Sequence, residues 1–318
     1  MLRKPLGRTG TSVSALCYGT MSFGGDADEA QSAKLYAACR DAGIDFFDCA
    51  NVYQNGTAEE ILGRLIAHER EEITLTTKFA SDKGGSRRNV LASVEASLKR
   101  LGTDRIDVLF MHRWDPEARL EDTLRALDDL VRQGKVLYLG ASNYAAWQLA
   151  TALGVQKREG WARFDVFQPM YNLVKRQAEV EILPLCAAED VAVVPYNPLA
   201  AGVLTGKYLP DEGAGNARGR LDQMEMYAKR YAAPWVEGVV REFVAFAKDL
   251  GVSPVTLADA WVAAHPAVTA PIIGARNVEQ LAPAIAAADY NMTEDVRAKI
   301  SALSPTPVPA TDRLEELG

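Results

Sequence analysis

Short apolar runs and longer amphipathic stretches take turns along this chain. The run 44–47 reads as a strand buried on both faces, and it ends on the carboxylate Asp48. The run 73–77 ends on Lys78, and the run 106–111 ends on His112. Further core strands are expected over 15–19, 136–139, 165–167, 191–194 and 269–273. Helical spacing between them predicts helices over 28–42, 58–69, 86–101, 120–132, 144–158, 179–189 (bent at Pro184), 234–250, 254–264, 278–288 and 294–303. Gly43, Gly102 and Gly134 stand where three of these helices should stop. Ahead of the core strands, 3–6 and 13–16 flank Gly7-Arg8-Thr9-Gly10 and predict a β-hairpin. Residues 200–233 break the rhythm, and an insert of that kind is usually a functional loop or lid. After Ser304, Pro305, Pro307 and Pro309 predict an extended, partly mobile tail.

Eight core strands with helices between them fit a closed (β/α)8 TIM barrel. It carries an N-terminal β-hairpin and a long loop after strand seven, and it accounts for residues 1–318 as one domain. An open doubly wound sheet that bound a dinucleotide would carry G-x-G-x-x-G after an early strand. Gly19-Thr20-Met21-Ser22-Phe23-Gly24-Gly25 lacks that spacing. In a barrel the active site lies at the C-terminal strand ends. Those ends carry Asp48, Lys78, His112, Ser142, Asn143, Gln168, Tyr196 and Gly274.

Composition narrows the partners. The net charge is −7 and the isoelectric point about 5.2, which argues against nucleic acid or an anionic membrane. No apolar run approaches the roughly 20 residues of a membrane helix, and no secretory signal is read at the N-terminus. Cys17, Cys39, Cys49 and Cys186 are scattered without metal or disulfide spacing, so a reducing cytoplasm is expected. Of the three histidines, His68 and His265 lie away from strand ends, so no metal site is expected.

An Asp, a Lys and a His at successive strand ends, with Tyr53 just past the first, suit one kind of chemistry. A free phenol titrates near ~10, and a neighbouring ammonium stabilises its phenolate. Lys78 supplies that ammonium, Asp48 holds it, and His112 orients a substrate oxygen. The set suits protonation of a developing alkoxide while a hydride reaches the carbonyl carbon. The hydride must come from a cofactor, because no side chain donates one. Each residue also has a plainer reading, as a helix-capping Asp, a structural rim ion pair or a satisfied rim histidine.

The ordered series of motifs is more specific than any one of them. It runs from Pro5-Leu6-Gly7-Arg8-Thr9-Gly10 and Gly19-Thr20-Met21-Ser22-Phe23-Gly24, through Asp48-x-Ala50-x-x-Tyr53, Thr77-Lys78 and Met111-His112. It continues with Gly140-x-Ser142-Asn143, Gln168-Pro169-x-Tyr171-Asn172 and Tyr196-x-Pro198-Leu199-x-x-Gly202-Val203-Leu204-Thr205-Gly206-Lys207-Tyr208, and ends at Gly274-Ala275-Arg276-Asn277. In this series the chain resembles the aldo-keto reductase family over nearly its whole length. The segment after Tyr196 is more similar to the bacterial reductases and the potassium-channel β subunits than to the vertebrate aldose reductases.

The resemblance implies NADP(H), with NAD(H) also open, and interconversion of an aldehyde or ketone with an alcohol. It implies Asp48, Tyr53, Lys78 and His112 as the catalytic tetrad, with Tyr53 as the acid. Ser142, Asn143 and Gln168 would meet the nicotinamide amide, and Tyr196 would stack on its ring. Gly19, Thr20, Met21, Asp48 and Asn197 would line the same cofactor. Pro198, Leu199, Gly202, Leu204 and Lys207 would wrap the pyrophosphate, while Gly274, Arg276 and Gln280 would take the 2′-phosphate and adenine end. Substrate contacts would come from Met21, Phe23, Trp114, Tyr144 and residues 218–231. The sequence departs from the family at Gln54, where many members have Gly, at Asn197 for the common Ser, and at Leu281-Ala282-Pro283-Ala284. A nicotinamide-binding regulatory subunit with slow chemistry is the alternative, and a barrel isomerase or lyase a more distant one. The expected partner is a small carbonyl or alcohol, with the chain a monomer or homo-oligomer.

Overall fold

The computed structural model describes residues 1–80, 83–209, 219–311, 313 and 315. Strands β1 (Arg3–Pro5) and β2 (Ser12–Ser14) pair antiparallel as the expected hairpin. Then come β3 (Cys17–Gly19), α1 (Glu29–Asp41), β4 (Phe46–Asp48), α2 (Thr57–Ile66), β5 (Thr74–Phe79), α3 (Arg87–Leu101), β6 (Ile106–Met111) and α4 (Leu120–Arg132). They are followed by β7 (Val136–Ser142), α5 (Ala146–Glu159), β8 (Phe164–Gln168), α6 (Ile182–Ala188) and β9 (Ala192–Val193). Two short helices, α7 (Arg220–Gln223) and α8 (Glu225–Arg230), precede α9 (Trp235–Asp249), α10 (Pro254–Ala263), β10 (Ile272–Ile273), α11 (Val278–Ile285) and α12 (Glu294–Ala302).

Strands β3 to β9 pair in chain order, each parallel to the next, and β10 pairs with β3. The two ends of this series meet. The Thr269 N–H donates to the Val193 carbonyl at 2.8 Å, and the Ile272 N–H to the Pro195 carbonyl at 2.8 Å. The sheet closes on itself as the expected (β/α)8 barrel.

Alternation along the strands sorts side chains into two cores. Phe46, Val108, Phe110, Val166, Ala192, Val194 and Ile272 fill the barrel interior together with Leu6 and Val13 of the hairpin. The hairpin therefore plugs one end, and the polar strand ends face the other. Phe110 fits because Gly140 is bare: a Cβ there would lie 2.4 Å from its ring. Outward residues such as Leu75, Phe79, Leu109 and Phe167 pack against the helices.

Three expectations change. Residues 179–189 do not form one bent helix. Gln177–Glu179 make a separate turn, and α6 begins at Ile182, so Pro184 falls in the first turn, where a missing N–H costs no bond. Only Ile272 and Ile273 of the last strand join the ladder with β3. Residues 200–233 contain regular structure after all: a 3-10 segment at Ala200–Thr205, then α7 and α8. Residues 210–218, part of that expected loop, lie outside the described residues, as do residues 312, 314 and 316–318 of the tail. Among the described residues, no helix is long and apolar enough to cross a membrane.

Candidate active site

The inward alternation that buries Phe46 also turns Asp48 inward, and on β5 it aligns Thr76 with Lys78. Register places Asp48 beside Thr76 and Lys78 beside Phe110. Lys78 has no exposed surface. Its ammonium donates to Asp48 Oδ2 at 2.5 Å, to the Cys49 carbonyl at 2.7 Å and to the Tyr53 hydroxyl at 3.4 Å. The other oxygen of Asp48 accepts from the Thr76 hydroxyl at 2.8 Å and from Gln168 Nε2 at 3.0 Å. Both ions are thus buried with their hydrogen-bonding positions filled, as a buried charge requires.

Tyr53 begins a tight turn, Tyr53–Gly56, in which Gln54 and Asn55 are left-handed at φ 47° and 55°. Asn visits that region readily; Gln does so at a cost of roughly 1–2 kcal/mol. This is where the departure from Gly at position 54 is felt. The Gln54 side chain lies across bare Gly25, where a Cβ would come within 2.5 Å of its amide. The Tyr53 ring stands edge-on to His112, with ring centres 6.3 Å apart.

The electrostatics correct one expectation. Burial raises the Tyr53 phenol, the Lys78 charge opposes it and Asp48 adds to the rise; the net effect pushes it up to about 12. The phenol is a stable proton donor at neutral pH, not a lowered one. Burial alone would lower Lys78, but Asp48 and Tyr53 outweigh it and hold it above its usual range, so it stays an ammonium. His112 is pushed down to about 3 by burial and then by the positive charges of Lys78 and Arg113. It is a neutral imidazole, and its buried Nδ1 has no hydrogen-bond partner among the described residues.

Beside this corner, Asn143 ties strand ends together. It is left-handed at φ 56°. Its Nδ2 donates to the His112 carbonyl at 2.9 Å and to Ser142 Oγ at 3.0 Å, and its Oδ1 accepts from the Tyr196 hydroxyl at 2.7 Å. The Ser142 hydroxyl donates to the Gln168 carbonyl at 2.8 Å. Asn143 is exposed, whereas Ser142 and Gln168 are buried. With Gln168 Nε2 committed to Asp48 and Asn143 Nδ2 to the His112 carbonyl and Ser142, the second lone pair of Asn143 Oδ1 and Gln168 Oε1 are the groups of this set best placed to meet a ligand.

A second cluster lies along the rim between β9 and α11. After Tyr196, Asn197 is left-handed at φ 64°. Its Oδ1 accepts from the Ala201 N–H at 2.6 Å, and its Nδ2 donates to the Tyr231 hydroxyl at 2.6 Å. Asn in place of Ser thus pins both the following turn and α8. Gly202, at φ 90°, leaves room for Lys207, whose Nζ would lie 3.0 Å from a Cβ there. Burial lowers the Lys207 pKa, and the charges of Arg276 and Arg220 lower it further. Arg276 pairs with Asp26 at 3.0 Å and donates to Gln223 Oε1 at 3.4 Å. Its own N–H donates to Gln280 Oε1 at 3.2 Å, so Gln280 braces the turn. Pro198 is buried, while Gly19, Met21 and Leu199 are partly open. A Cβ on Gly274 would meet nothing nearer than the Gly19 carbonyl at 3.7 Å, so open space remains at that strand end. Three cations and a bare strand end suit an anionic dinucleotide, and the orphaned His112 Nδ1 agrees with a ligand at the other end.

Several expected contacts are internal. Thr20 is fully buried, and its N–H and hydroxyl both go to the Asp48 carbonyl, at 2.9 and 3.0 Å. The Leu204 side chain is core. Phe23 is buried against Tyr18, with ring centres 5.8 Å apart, so it has no surface to offer a substrate. Tyr144 is buried too, its hydroxyl on Met111 Sδ at 2.8 Å and its ring edge-on to Trp114. Of the four named substrate residues Met21 and Trp114 reach the surface, and Phe23 and Tyr144 do not. Position 218 of the expected 218–231 segment lies outside the described residues. Sequence reasoning missed Thr76, although it precedes Lys78 by two on the inward face, and Asp26, which carried no positional signal; Arg220 lies in the 218–231 segment expected to meet substrate, not among the residues expected at the cofactor.

Among the described residues, no three or more His, Cys, Asp or Glu are grouped to hold a metal ion. The profile described as "Aldo/keto reductase family" matches residues 15–305. The chain is 37% identical to a probable voltage-gated potassium channel subunit beta of Oryza sativa subsp. japonica over 95% of this chain and 96% of the relative. It is 35% identical to the uncharacterized oxidoreductase YrpG of Bacillus subtilis, over 95% of each. A versiconal hemiacetal acetate reductase of Aspergillus parasiticus is 30% identical over 91% of this chain and 93% of the relative. With the profile spanning most of the barrel and relatives matching nearly end to end, the chain belongs to the aldo/keto reductase family.

Proposed function

We propose that this oxidoreductase interconverts an aldehyde or ketone with an alcohol, using NADP(H), with Tyr53 as the general acid. The observation that carries the reading is the corner itself: a phenol held protonated, 3.4 Å from an ammonium and edge-on to a neutral imidazole. A bound nicotinamide would supply the hydride. The chain's own residues do the rest. Neutral His112 cannot deliver a proton as an imidazolium, so it orients the substrate oxygen. Tyr53 gives up its proton as that oxygen becomes an alkoxide, and Lys78, fixed by Asp48, stabilises the phenolate left behind. Asn143 and Gln168 Oε1 would hold the nicotinamide amide, Tyr196 its ring, and Lys207, Arg220 and Arg276 the phosphates. All four cysteines are free and buried, which agrees with a cytoplasmic protein.

The potassium-channel names among the relatives favour a second reading, a nicotinamide-binding regulatory subunit with slow chemistry. One experiment separates the two. NADPH consumption with 4-nitrobenzaldehyde should be catalytic in the wild type. In Tyr53→Phe, kcat should fall by about 10²–10⁴-fold, with NADPH binding, followed by protein fluorescence, unchanged. An active Tyr53→Phe removes Tyr53 from the acid role. Tight NADPH binding without wild-type turnover supports the regulatory reading.

A further inference from the structure

Besides Arg220, assigned above to the dinucleotide phosphates, the mouth carries two arginines that form no ion pair with a carboxylate among the described residues, Arg113 and Arg230. They are not equivalent. Arg113 is exposed and lies in the field of Asp115, whose carboxylate binds the N–H groups of Gly85 and Glu117. Arg230 is half-buried at the end of α8. Its neighbour Lys229 turns away to pair with Glu225 at 2.7 Å. The Arg230 guanidinium lies instead 5.2 Å from the centre of the Tyr227 ring, with one nitrogen 3.5 Å from Met226 Sδ.

Tyr231 fixes the end of α8, next to Arg230. Its hydroxyl is 2.6 Å from Asn197 Nδ2 and 3.3 Å from Asn172 Nδ2, which holds the end of α8 against the residue after Tyr196. Arg230 is the leading charged neighbour of the Tyr196 phenol. Tyr196 binds Asn143, and Asn143 binds the His112 carbonyl. Arg230 therefore stands on the tyrosine side of the mouth. Trp114 and the exposed Trp147, with ring centres 5.8 Å apart, supply aromatic surface near His112. The phosphates of a dinucleotide fall to Lys207, Arg220 and Arg276, which leaves Arg230 for something else. A half-buried guanidinium stacked on one ring, without a carboxylate, offers a planar pair of donors that matches a carboxylate.

We propose that the substrate is an aromatic carbonyl compound bearing a carboxylate, and that Arg230 receives the carboxylate while the carbonyl lies at Tyr53 and His112. This rests on the reductase reading above. Its test uses two aldehydes of the same shape and different charge, 4-carboxybenzaldehyde and 4-nitrobenzaldehyde, reduced by the full chain with NADPH.

Arg230→Gln should raise KM for the carboxylate about tenfold or more, since a charge-assisted hydrogen bond is lost. KM for the nitro compound should stay within about twofold, as expected for a contact with no charge to lose. The kcat of both should hold. Arg230→Lys should restore part of the loss, because it keeps charge without the fork. Raising salt should erode the wild-type preference for the carboxylate. This last arm needs no variant, so a misfolded Arg230→Gln does not rescue the idea. Equal changes for both aldehydes, or a salt-independent ratio, would overturn the proposal and leave the reductase reading standing. If the wild type reduces neither aldehyde, both fall together.

Discussion

The corner where β4, β5 and β6 end and the rim between β9 and α11 treat charge in opposite ways. In the corner one ammonium, Lys78, is fully buried with Asp48, the Cys49 carbonyl and the Tyr53 hydroxyl around it. At the rim Lys207, Arg220 and Arg276 gather, among the described residues, around the carboxylates Asp26 and Asp222. The corner is complete before any ligand arrives, so its field is preorganised for a reaction. Among the described residues the rim carries more positive than negative charge, which suits an anion. One region stores its electrostatics in the fold, and the other offers it for binding.

Removing one lysine from each region sharpens the contrast most. Lys78→Met leaves Asp48 buried without its counterion and should cost about 3–5 kcal/mol of stability. Lys207→Met removes a charge from the exposed rim and should change stability by no more than about 0.5 kcal/mol, while weakening NADPH binding. Urea denaturation of the two variants beside the wild type measures this. Similar losses from both would mean that the corner does not depend on its internal ion pair.

The pH dependence tests the corner alone. The Tyr53 phenol, pushed up to about 12, stays protonated across the neutral range, and His112, pushed down to about 3, stays neutral. Carbonyl reduction, which uses the phenol, should therefore be flat between about pH 6 and 9. Alcohol oxidation uses the phenolate, whose share grows about tenfold per pH unit below the phenol pKa, so that direction should climb over the same range. Initial rates in both directions, at saturating nucleotide, decide it. A reduction rate that falls between pH 6 and 8 would show a proton donor other than a buried phenol.

The corner was far more legible in the sequence than the rim, for a physical reason. Strand alternation has a period of two, so an apolar run ending in Asp48, Lys78 or His112 announces which way the terminal side chain points. Thr76 was open to the same rule and was missed. The sign of the Tyr53 shift was not open to it, because it depends on how burial and Asp48 compare with Lys78, a balance of distances that spacing does not contain. At the rim no period operates. Asp26, Arg220 and Arg276 come from three separate loops or helix ends, and only closure of the barrel between β9 and β10 brings such segments together. The buried state of Phe23 and Tyr144 was equally hidden, since an aromatic at a barrel mouth packs inward or outward according to neighbours such as Tyr18 and Met111.

The smallest expected effect concerns how the rim divides its charge. Arg276 is not simply waiting for a phosphate: Asp26 already holds its guanidinium at 3.0 Å. A 2′-phosphate on NADPH would have to share that guanidinium with a carboxylate, and the carboxylate would repel the phosphate. NADH, with a hydroxyl there, meets neither effect. Arg276→Ala should therefore weaken NADPH by about tenfold and change NADH little. Asp26→Asn should act in the opposite direction, tightening NADPH by only a few-fold, as expected for a partly exposed charge pair. Fluorescence titration of both nucleotides at one fixed salt concentration reads the two variants. If Asp26→Asn instead weakens NADPH, the carboxylate orients Arg276 rather than competing for it. If Arg276→Ala affects both nucleotides alike, Arg276 does not meet the 2′-phosphate, and any preference for NADP would have to come from another of the rim's cations.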